Sequence, residues 1–472
     1  MPQTATRCYE VFAPADGSIL VEVPLEPKSE IAKKLTRIES SKTRVNPADV
    51  QPFLDRLRVR LQANRGKLIE IMQAETGFIT RDTEEIVDSS IEFLQDFETY
   101  ATEQVDRRQI VRHSYSSSVG RDMLVIQRPC RCVAAVVPQN ASLTLSIIII
   151  ASALYAGSKV ILRPALQCSA SGAILSDLVM ESDPPAGSVT FTNCLAKDFL
   201  EACCESDAVD VIHYIGSNQY ALSVLNKSFE AGKTCLLDGQ GNGLLYVDET
   251  FPLGEAVEII ASGSTRYNGE TCTSINGVLI APPVYEELKE ALTARFEQFI
   301  TGDPKDERTD IGPLFSARQA LEFRSGLLDQ GSHKLLVGGD IDGAYVRPAV
   351  VVGVKHTDIM AMQGFFGPAV WIASSSLDEV STWLSSNQFP LSDTVLSRDP
   401  AVMRHFAAIT HAARVCINQD PSIESMFEPW GGYPPSGLNP VSVWIDKYKR
   451  TFQVDGRLTD LTSMRMTGTD RG

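Results

Sequence analysis

The run Val133-Ala134-Ala135-Val136-Val137-Pro138-Gln139-Asn140, continued by the isoleucine-rich segment Leu143 to Leu154 and then by Lys159-Val160-Ile161-Leu162-Arg163, decides the fold. Two short β-branched cores on either side of a helix-length apolar stretch describe a strand, a crossover helix and a second strand. The rhythm extends outward. A helix is expected near Ser169 to Met180, a strand at Ser188 to Phe191, a helix near Phe199, a strand at Val209 to Tyr214 and a helix from Asn218 to Phe229. Strands without polar alternation, separated by helices, predict a parallel sheet covered on both faces. Ligands of such sheets bind beyond the carboxyl ends of the strands, which singles out Pro138-Gln139-Asn140, Arg163-Pro164 and Gly216-Ser217-Asn218. Gly216-Ser217 stands where a strand ends and a helix starts, so free N–H groups could face a pyrophosphate. It is not a G-x-G-x-x-G, and a tight turn with a serine cap accounts for it equally well. The isoleucine run ends at Gly157-Ser158-Lys159, well short of the roughly 20 residues that span a bilayer, and reads as a helix buried in protein.

Ahead of this unit, Tyr9 to Pro24 alternates around an Ala-Asp-Gly-Ser turn and predicts a hairpin. From Pro47 to about Thr102 apolar residues recur at three and four, broken at Gly77, which predicts two amphipathic helices. Gln109 to Gln127 alternates across a Ser116-Ser117-Ser118-Val119-Gly120 turn, a second hairpin. Behind it, Phe251 to Ser264 is spaced as a helix and Ile275 to Ile280 as a strand. A helix at Tyr285 to Ile300, strands at Val346 to Val352, near Phe365 to Ile372 and at Arg414 to Asn418, and a short helix at Leu377 to Ser385 make a second α/β unit. A Gly/Pro loop from Pro429 to Gly437 precedes strand-like Val441 to Ile445 and Arg450 to Val454.

A chain of 472 residues with 43% hydrophobic and 22% charged residues can bury a large core, and its formal net charge of −16 argues against nucleic acid or anionic lipid as partner. The ten cysteines show no zinc-ligand spacing, so no metal is expected and most thiols are read as reduced. The N-terminus lacks the apolar stretch of a signal peptide, and the cytoplasm is the expected compartment.

Cys272 lies in Arg266-Tyr267-Asn268-Gly269-Glu270-Thr271-Cys272-Thr273-Ser274, between the helix and the strand of the second unit. A thiol on an element end can meet a substrate while its neighbours stay rigid, and nearby backbone N–H groups stabilise both a thiolate and an oxyanion. A free cysteine is more often a small buried hydrophobe, and that reading stands beside the first. Cys235 and the pair Cys203-Cys204 are assigned to packing, and His213 and His356 to structural or surface roles.

Pro138-Gln139-Asn140, Arg163-Pro164, Tyr214-Ile215-Gly216-Ser217, Asn268 to Cys272, Phe366-Gly367-Pro368 and Pro429-Trp430-Gly431-Gly432 to Ser436-Gly437 occur in one order along the chain. In that order and rough spacing the sequence resembles the aldehyde dehydrogenase superfamily, from the opening hairpin to Val454. The resemblance implies an α/β fold: a Rossmann-type cofactor domain (1–106 and 129–237), a second α/β catalytic domain (238–437) and a small β oligomerisation extension (107–128 and 438–472). It implies Cys272 as nucleophile, and Asn140 with the Cys272 backbone N–H as oxyanion donors. It further implies NAD or NADP held by Pro138, Gln139, Arg163, Pro164, Gly216, Ser217, Gly239 and Phe366, and a homodimer or homotetramer built by strand pairing.

Three positions depart from the family pattern. Where a glutamate usually serves as base for the water that cleaves the thioester, this chain has Asp238, one methylene shorter. Gly239-Gln240-Gly241-Asn242 also looks like the branch that makes or reduces acyl-CoA thioesters. Gly364 stands where a glutamate usually holds the nicotinamide ribose, and Leu166 where one often binds the adenosine ribose, while Arg163 could meet a 2′-phosphate. The expected activity is NAD(P)-dependent oxidation of a small-molecule aldehyde to its acid with Asp238 as base. Its alternatives are acyl-thioester chemistry, or a catalytically weakened homologue that binds a ligand or partner.

Overall fold

In the computed structural model, which describes residues 7–41, 43–104, 112–114, 122–328 and 333–456, the N-terminal hairpin pairs β1 (Cys8–Phe12) with β2 (Ile19–Pro24). Helices α1 (Lys28–Ser40), α2 (Val50–Ala63), α3 (Arg65–Thr76) and α4 (Thr80–Gln104) follow. The break at Gly77 is present. A second break at Asn64, whose backbone leaves the helical region, divides the first of the two expected helices, and α1 is an addition to the sequence reading. The short strand β3 (Arg112–Ser114) pairs antiparallel with β4 (Asp122–Pro129), and the expected turn at Ser116-Ser117-Ser118 lies outside the described residues.

The first α/β unit runs β5 (Cys132–Val136), α5 (Ser142–Tyr155), β6 (Lys159–Arg163), α6 (Ser169–Glu181), β7 (Val189–Phe191), α7 (Ala196–Glu205), β8 (Val211–Ile215), α8 (Asn218–Glu230) and β9 (Thr234–Asp238). All five strands are parallel to their neighbours within the unit. Alternate side chains enter two cores: Val133, Ala135, Val160 and Leu162 pack toward α2 to α6, and Cys132, Ala134, Ile161 and Ile212 toward α1, α7 and α8. Helix α5 is apolar all round and buried, with Ile147 to Ile150 at 4% exposure or less, as a helix enclosed by protein requires.

The second unit begins with β10 (Gly243–Val247), α9 (Leu253–Thr265), β11 (Ile275–Ile280), α10 (Tyr285–Glu297) and α11 (Ala317–Leu328). It continues through β12 (Lys334–Val337), β13 (Ile341–Asp342), β14 (Tyr345–Val346), β15 (Ala349–Val352), α12 (Ile359–Gln363), β16 (Ala369–Ser374), α13 (Leu377–Ser386), β17 (Ser392–Leu396), α14 (Pro400–Ile409) and β18 (Arg414–Ile417). Its sheet order is β12-β15-β16-β11-β10-β17-β18, mostly parallel. The strand expected over Val346 to Val352 is divided at Pro348 into β14 and β15, since proline offers no N–H to a ladder.

The chain then returns through β19 (Trp430–Gly432), β20 (Gly437–Ser442), α15 (Trp444–Lys447) and β21 (Lys449–Gly456). Strand β20 pairs with β9, which gives the first sheet the order β19-β20-β9-β8-β5-β6-β7. Residues 438–442 therefore lie in the first sheet and not in the extension expected to begin at 438. Trp444 and Ile445, read as the end of a strand, instead open the short helix Trp444–Lys447 and are buried in the first core. The extension proper is the sheet β21-β4-β3, with Lys449–Gly456 paired along the whole of β4.

In the first sheet the chain winds outward from β5 in one direction to β7 and in the other through β8 to β9, so a switch point falls between β5 and β8. Pro138 and Gly216 stand at its mouth. The link from β9 to β10 is only residues 239–242, which brings the carboxyl edge of the first sheet against the amino edge of the second. Among the described residues no helix is long and apolar enough to cross a membrane.

Candidate active site

Helix α9 ends at Thr265 and β11 begins at Ile275, and the segment between them contains three successive left-handed residues: Tyr267 (φ 52°), Asn268 (φ 57°) and Gly269 (φ 70°). Two of the three carry side chains, a costly conformation that persists only when its surroundings hold it. Asp82 accepts from the Tyr267 N–H at 3.0 Å. Asn268 donates to the Pro313 and Gly77 carbonyls and accepts from the Gly312 N–H at 2.8 Å. Arg266 pairs with Glu85, and the Tyr267 ring meets Phe78 edge-on at 5.6 Å. Gly269 is pressed on Gly367, where an added Cβ would lie 2.3 Å from the carbonyl oxygen.

This clamp presents Cys272, half-buried, where the edges of the two sheets meet. The β9–β10 link touches it directly: a Cβ on Gly241 would lie 2.0 Å from the Cys272 carbonyl oxygen. Burial pushes the thiol well above its usual range; Glu424 and Asp238 reinforce that, while the thiol's contact with its own backbone N–H and the charge of Arg414 oppose it. The resting sulfur is a neutral thiol that needs a proton acceptor to become a nucleophile.

Asn140 stands just ahead of α5, and its Nδ2 donates to the Glu270 carbonyl at 3.0 Å, tying the end of β5 to the cysteine segment. One amide proton is thereby used, and its partner can serve an oxyanion beside the Cys272 N–H. The Glu270 side chain is fully buried. Gln319 Nε2 donates to its Oε1 at 2.6 Å, its Oε2 has no hydrogen-bond partner, and burial pushes the carboxyl far up, so it holds its proton.

Asp238, expected to wait beside the thioester as a free base, is placed otherwise. It is 5% exposed at the end of β9, where His213 Nε2 meets its Oδ2 at 2.7 Å and Asn439 Nδ2 reaches both oxygens at 2.9 Å. Behind these stand Tyr448, whose hydroxyl meets His213 Nδ1 at 2.9 Å, and Lys447, which donates to Asn439 Oδ1 at 2.8 Å. Burial lowers the Lys447 ammonium to about 8. A tyrosine, histidine, aspartate, asparagine and lysine thus satisfy one another across β8, β9, β20 and α15. His213 is the buried hub of this network.

Gln139 and Gln167 line, with Gln319, Tyr345 and the β1–β2 turn, a cleft of about 660 Å³ between the two units. Ser217 caps α8 by accepting from the Gln219 N–H, and Gly216 N–H donates to the Asp238 carbonyl. Arg163 Nε donates to the Cys194 carbonyl at 3.0 Å, and Pro164 is buried beside it. A Cβ on Gly239 would strike Asn218 and Ser436, and Phe366 stays 37% exposed. Gly364 has φ 66° and is hemmed in by Asn242 and Asn276, both within 2.7 Å of an added Cβ. Arg163, Gly216 and Ser217 do not line that cleft. Leu166, at 7% exposure, is apolar and Gly364 carries no side chain, so neither could bind a ribose hydroxyl.

Glu270, Gln319, Asn439 and Glu424 did not stand out in the sequence, and His213 was assigned only a structural or surface role. Only Glu270 carried a local signal, its place two residues before the thiol.

A sequence model described as the aldehyde dehydrogenase family matches residues 1–454. The chain is 24% identical over 441 residues to 3-sulfolactaldehyde dehydrogenase of Priestia aryabhattai, covering 92% of this chain and 91% of that protein. It superposes with a TM-score of 0.86 and 21% identity on aldehyde dehydrogenase of Bacillus cereus in complex with NAD+, over 96% of this chain and 94% of that one. It matches equally, at 20% identity over 96% of this chain and 100% of that one, glyceraldehyde-3-phosphate dehydrogenase of Methanocaldococcus jannaschii complexed with NADP.

Proposed function

The chain belongs to the aldehyde dehydrogenase family, oxidoreductases that act on aldehydes with NAD or NADP, and we propose that it oxidises an aldehyde to the carboxylic acid through a thiohemiacetal and a thioester on Cys272. One observation carries the reading: a half-buried thiol held on a strained turn, at the junction of two sheets, with Asn140 tethered to the same turn. The sulfur adds to the aldehyde carbon after losing its proton, and the Asn140 amide and the Cys272 N–H hold the oxyanion. NAD or NADP, when bound, accepts the hydride. The remaining acyl group leaves the sulfur to water. Gly216, Ser217, Gln139 and Arg163 line the face that would hold the dinucleotide, and the NAD+- and NADP-bound relatives support either cofactor. Met426 and Phe427, packed on the first core with Phe427 5.0 Å from Phe93 ring to ring, give the substrate side an apolar wall.

The test follows NAD(P)H absorbance with a panel of aldehydes, with and without CoA. Wild type should reduce the nucleotide and Cys272→Ala should lose turnover by at least about a thousandfold while keeping its fold and cofactor affinity. Substantial residual activity would show that another thiol does the work. The locked carboxylate of Asp238 favours a second reading, in which the acyl group passes to CoA or a carrier thiol and no base at that position is needed. Turnover that requires CoA would establish it. No turnover and no adduct on Cys272 would leave a ligand-binding homologue. The sheet β21-β4-β3 offers edges for pairing with a second copy as a dimer or tetramer, and the cytoplasm is the compartment that fits a chain with buried thiols such as Cys130, Cys132 and Cys203.

A further inference from the structure

The bond from Asn140 Nδ2 to the Glu270 carbonyl, at 3.0 Å, fixes how the Asn140 amide is turned. Its direction therefore depends on where that carbonyl is held. Glu270 follows the three left-handed residues directly, and its own backbone, at φ −96° and ψ 48°, is neither helical nor extended. Such a conformation needs support from its surroundings. The Glu270 side chain supplies it: fully buried, it accepts at Oε1 from Gln319 Nε2 at 2.6 Å. Gln319 lies in the first turn of α11, where its own N–H donates to Ser316 Oγ at 3.1 Å. The segment just ahead of α11 grips the same turn at a second point, through Asn268. The carbonyl to which Asn140 donates is thus braced from α11.

Glu270 Oε2 has no hydrogen-bond partner. A buried oxygen left so is uncommon, and an apolar side chain would fill the space without that cost. What the acid adds is the bond to Gln319. Burial, opposed by the Phe315 backbone and by Gln319, keeps the carboxyl protonated, so the brace brings no negative charge to a thiolate or oxyanion two residues on. We propose that Glu270 is a positioning residue for the chemistry at Cys272: joined to Gln319, it sets the Asn140 amide that receives the oxyanion. Gln319 is its anchor, and neither side chain touches the reacting atoms in this role.

The inference rests on the roles given above to Cys272 and Asn140, and its test separates it from the proposed oxidation. p-Nitrophenyl acetate acylates a cysteine without any cofactor: the sulfur adds to the ester carbonyl, the oxyanion forms at the same donors, and p-nitrophenolate leaves. The absorbance burst of p-nitrophenolate gives the acylation rate of the full-length protein. Asn140→Ala should slow it about 100-fold, the worth of one oxyanion donor. Glu270→Ala should slow it about 20-fold on its own, but less than about threefold in an Asn140→Ala background, because both act through one amide. Glu270→Gln, a neutral isostere that still accepts from Gln319, should bring the rate back to within about threefold of wild type. A residue that merely held the fold would show neither this coupling nor this rescue. Where Glu270→Ala does not fold, Gln319→Ala cuts the same bond and takes its place in the cycle. Losses that multiply in full, a Glu270→Gln variant as slow as Glu270→Ala, or a Glu270→Ala rate within about twofold of wild type overturns the assignment. A wild type that gives no burst overturns it together with the role of Cys272. Failure of wild type to reduce NAD(P) with any aldehyde, beside a normal burst, would remove the proposed oxidation and leave the cycle to decide the role of Glu270.

Discussion

Gly241 has no side chain because the Cys272 carbonyl oxygen occupies the space one would need. Gly241→Ala must displace the cysteine segment by about an ångström, and misplacement on that scale costs roughly 100-fold in rate. Single-turnover NAD(P)H formation should fall by about that factor with circular dichroism unchanged; a wild-type rate would mean the contact does not position the thiol. Gly364 makes the opposite case. The family pattern invites Gly364→Glu as a repair of the ribose contact. Its φ of 66° and the closeness of the Asn242 and Asn276 side chains mean that any side chain there strains the backbone and pushes both asparagines aside. The variant should bind NAD(P)H more weakly than wild type in a fluorescence titration, and tighter binding would show that the ribose site had merely lost its glutamate.

At the scale of elements, β9 ends in Asp238, and the polar network there ties β8, β20 and α15 to it. Removing one partner from a buried, hydrogen-bonded charge leaves the rest unpaired, at a cost of about 3–5 kcal/mol. His213→Ala should therefore lower the urea midpoint strongly although the residue lies in no groove, and a change under about 1 kcal/mol would show that the network adds little. The same elements show what the sequence could reveal. Strands β5, β6 and β8 and the isoleucine helix were legible because continuous β-branched and apolar runs admit few other readings. Trp444 and Ile445 misled because alternating Val441, Val443 and Ile445 mimic a strand, and the packing of Trp444 and Ile445 into the first core goes with a helix there instead. Cys272 and Asn140 were legible as motif positions. The surroundings of Asp238 were not: Asn439 and Tyr448 come from 201 and 210 residues downstream, and no local pattern announces such partners.

Over the whole molecule, the two sheets and their helices enclose acids without a cationic neighbour strong enough to keep them ionised. Burial holds Glu75 at about 7 and Asp82 and Asp393 at about 6, and pushes Glu270 higher still. Below about pH 4 these groups are protonated folded or unfolded and contribute no difference. As pH rises from about 4 to about 7 the unfolded chain releases their protons first while the native state retains them, so stability falls across that window and the full penalty is present above it. Exposed acids such as Asp306, held at about 2 by the Arg308 side chain, act in the other direction and lose their contribution only at lower pH. The melting temperature should thus peak near pH 5 and decline toward pH 8. Glu75 accepts from the Ala170 and Ser171 N–H groups at the start of α6, and an amide oxygen can still accept there. Glu75→Gln should flatten the decline and gain about 3 kcal/mol at pH 8, the worth of lifting an acid from 4.5 to about 7. A melting temperature that rises from pH 5 to pH 8, or a Glu75→Gln variant with the wild-type slope, would mean that these carboxyls are ionised in the fold and that its stability rests on pairing them.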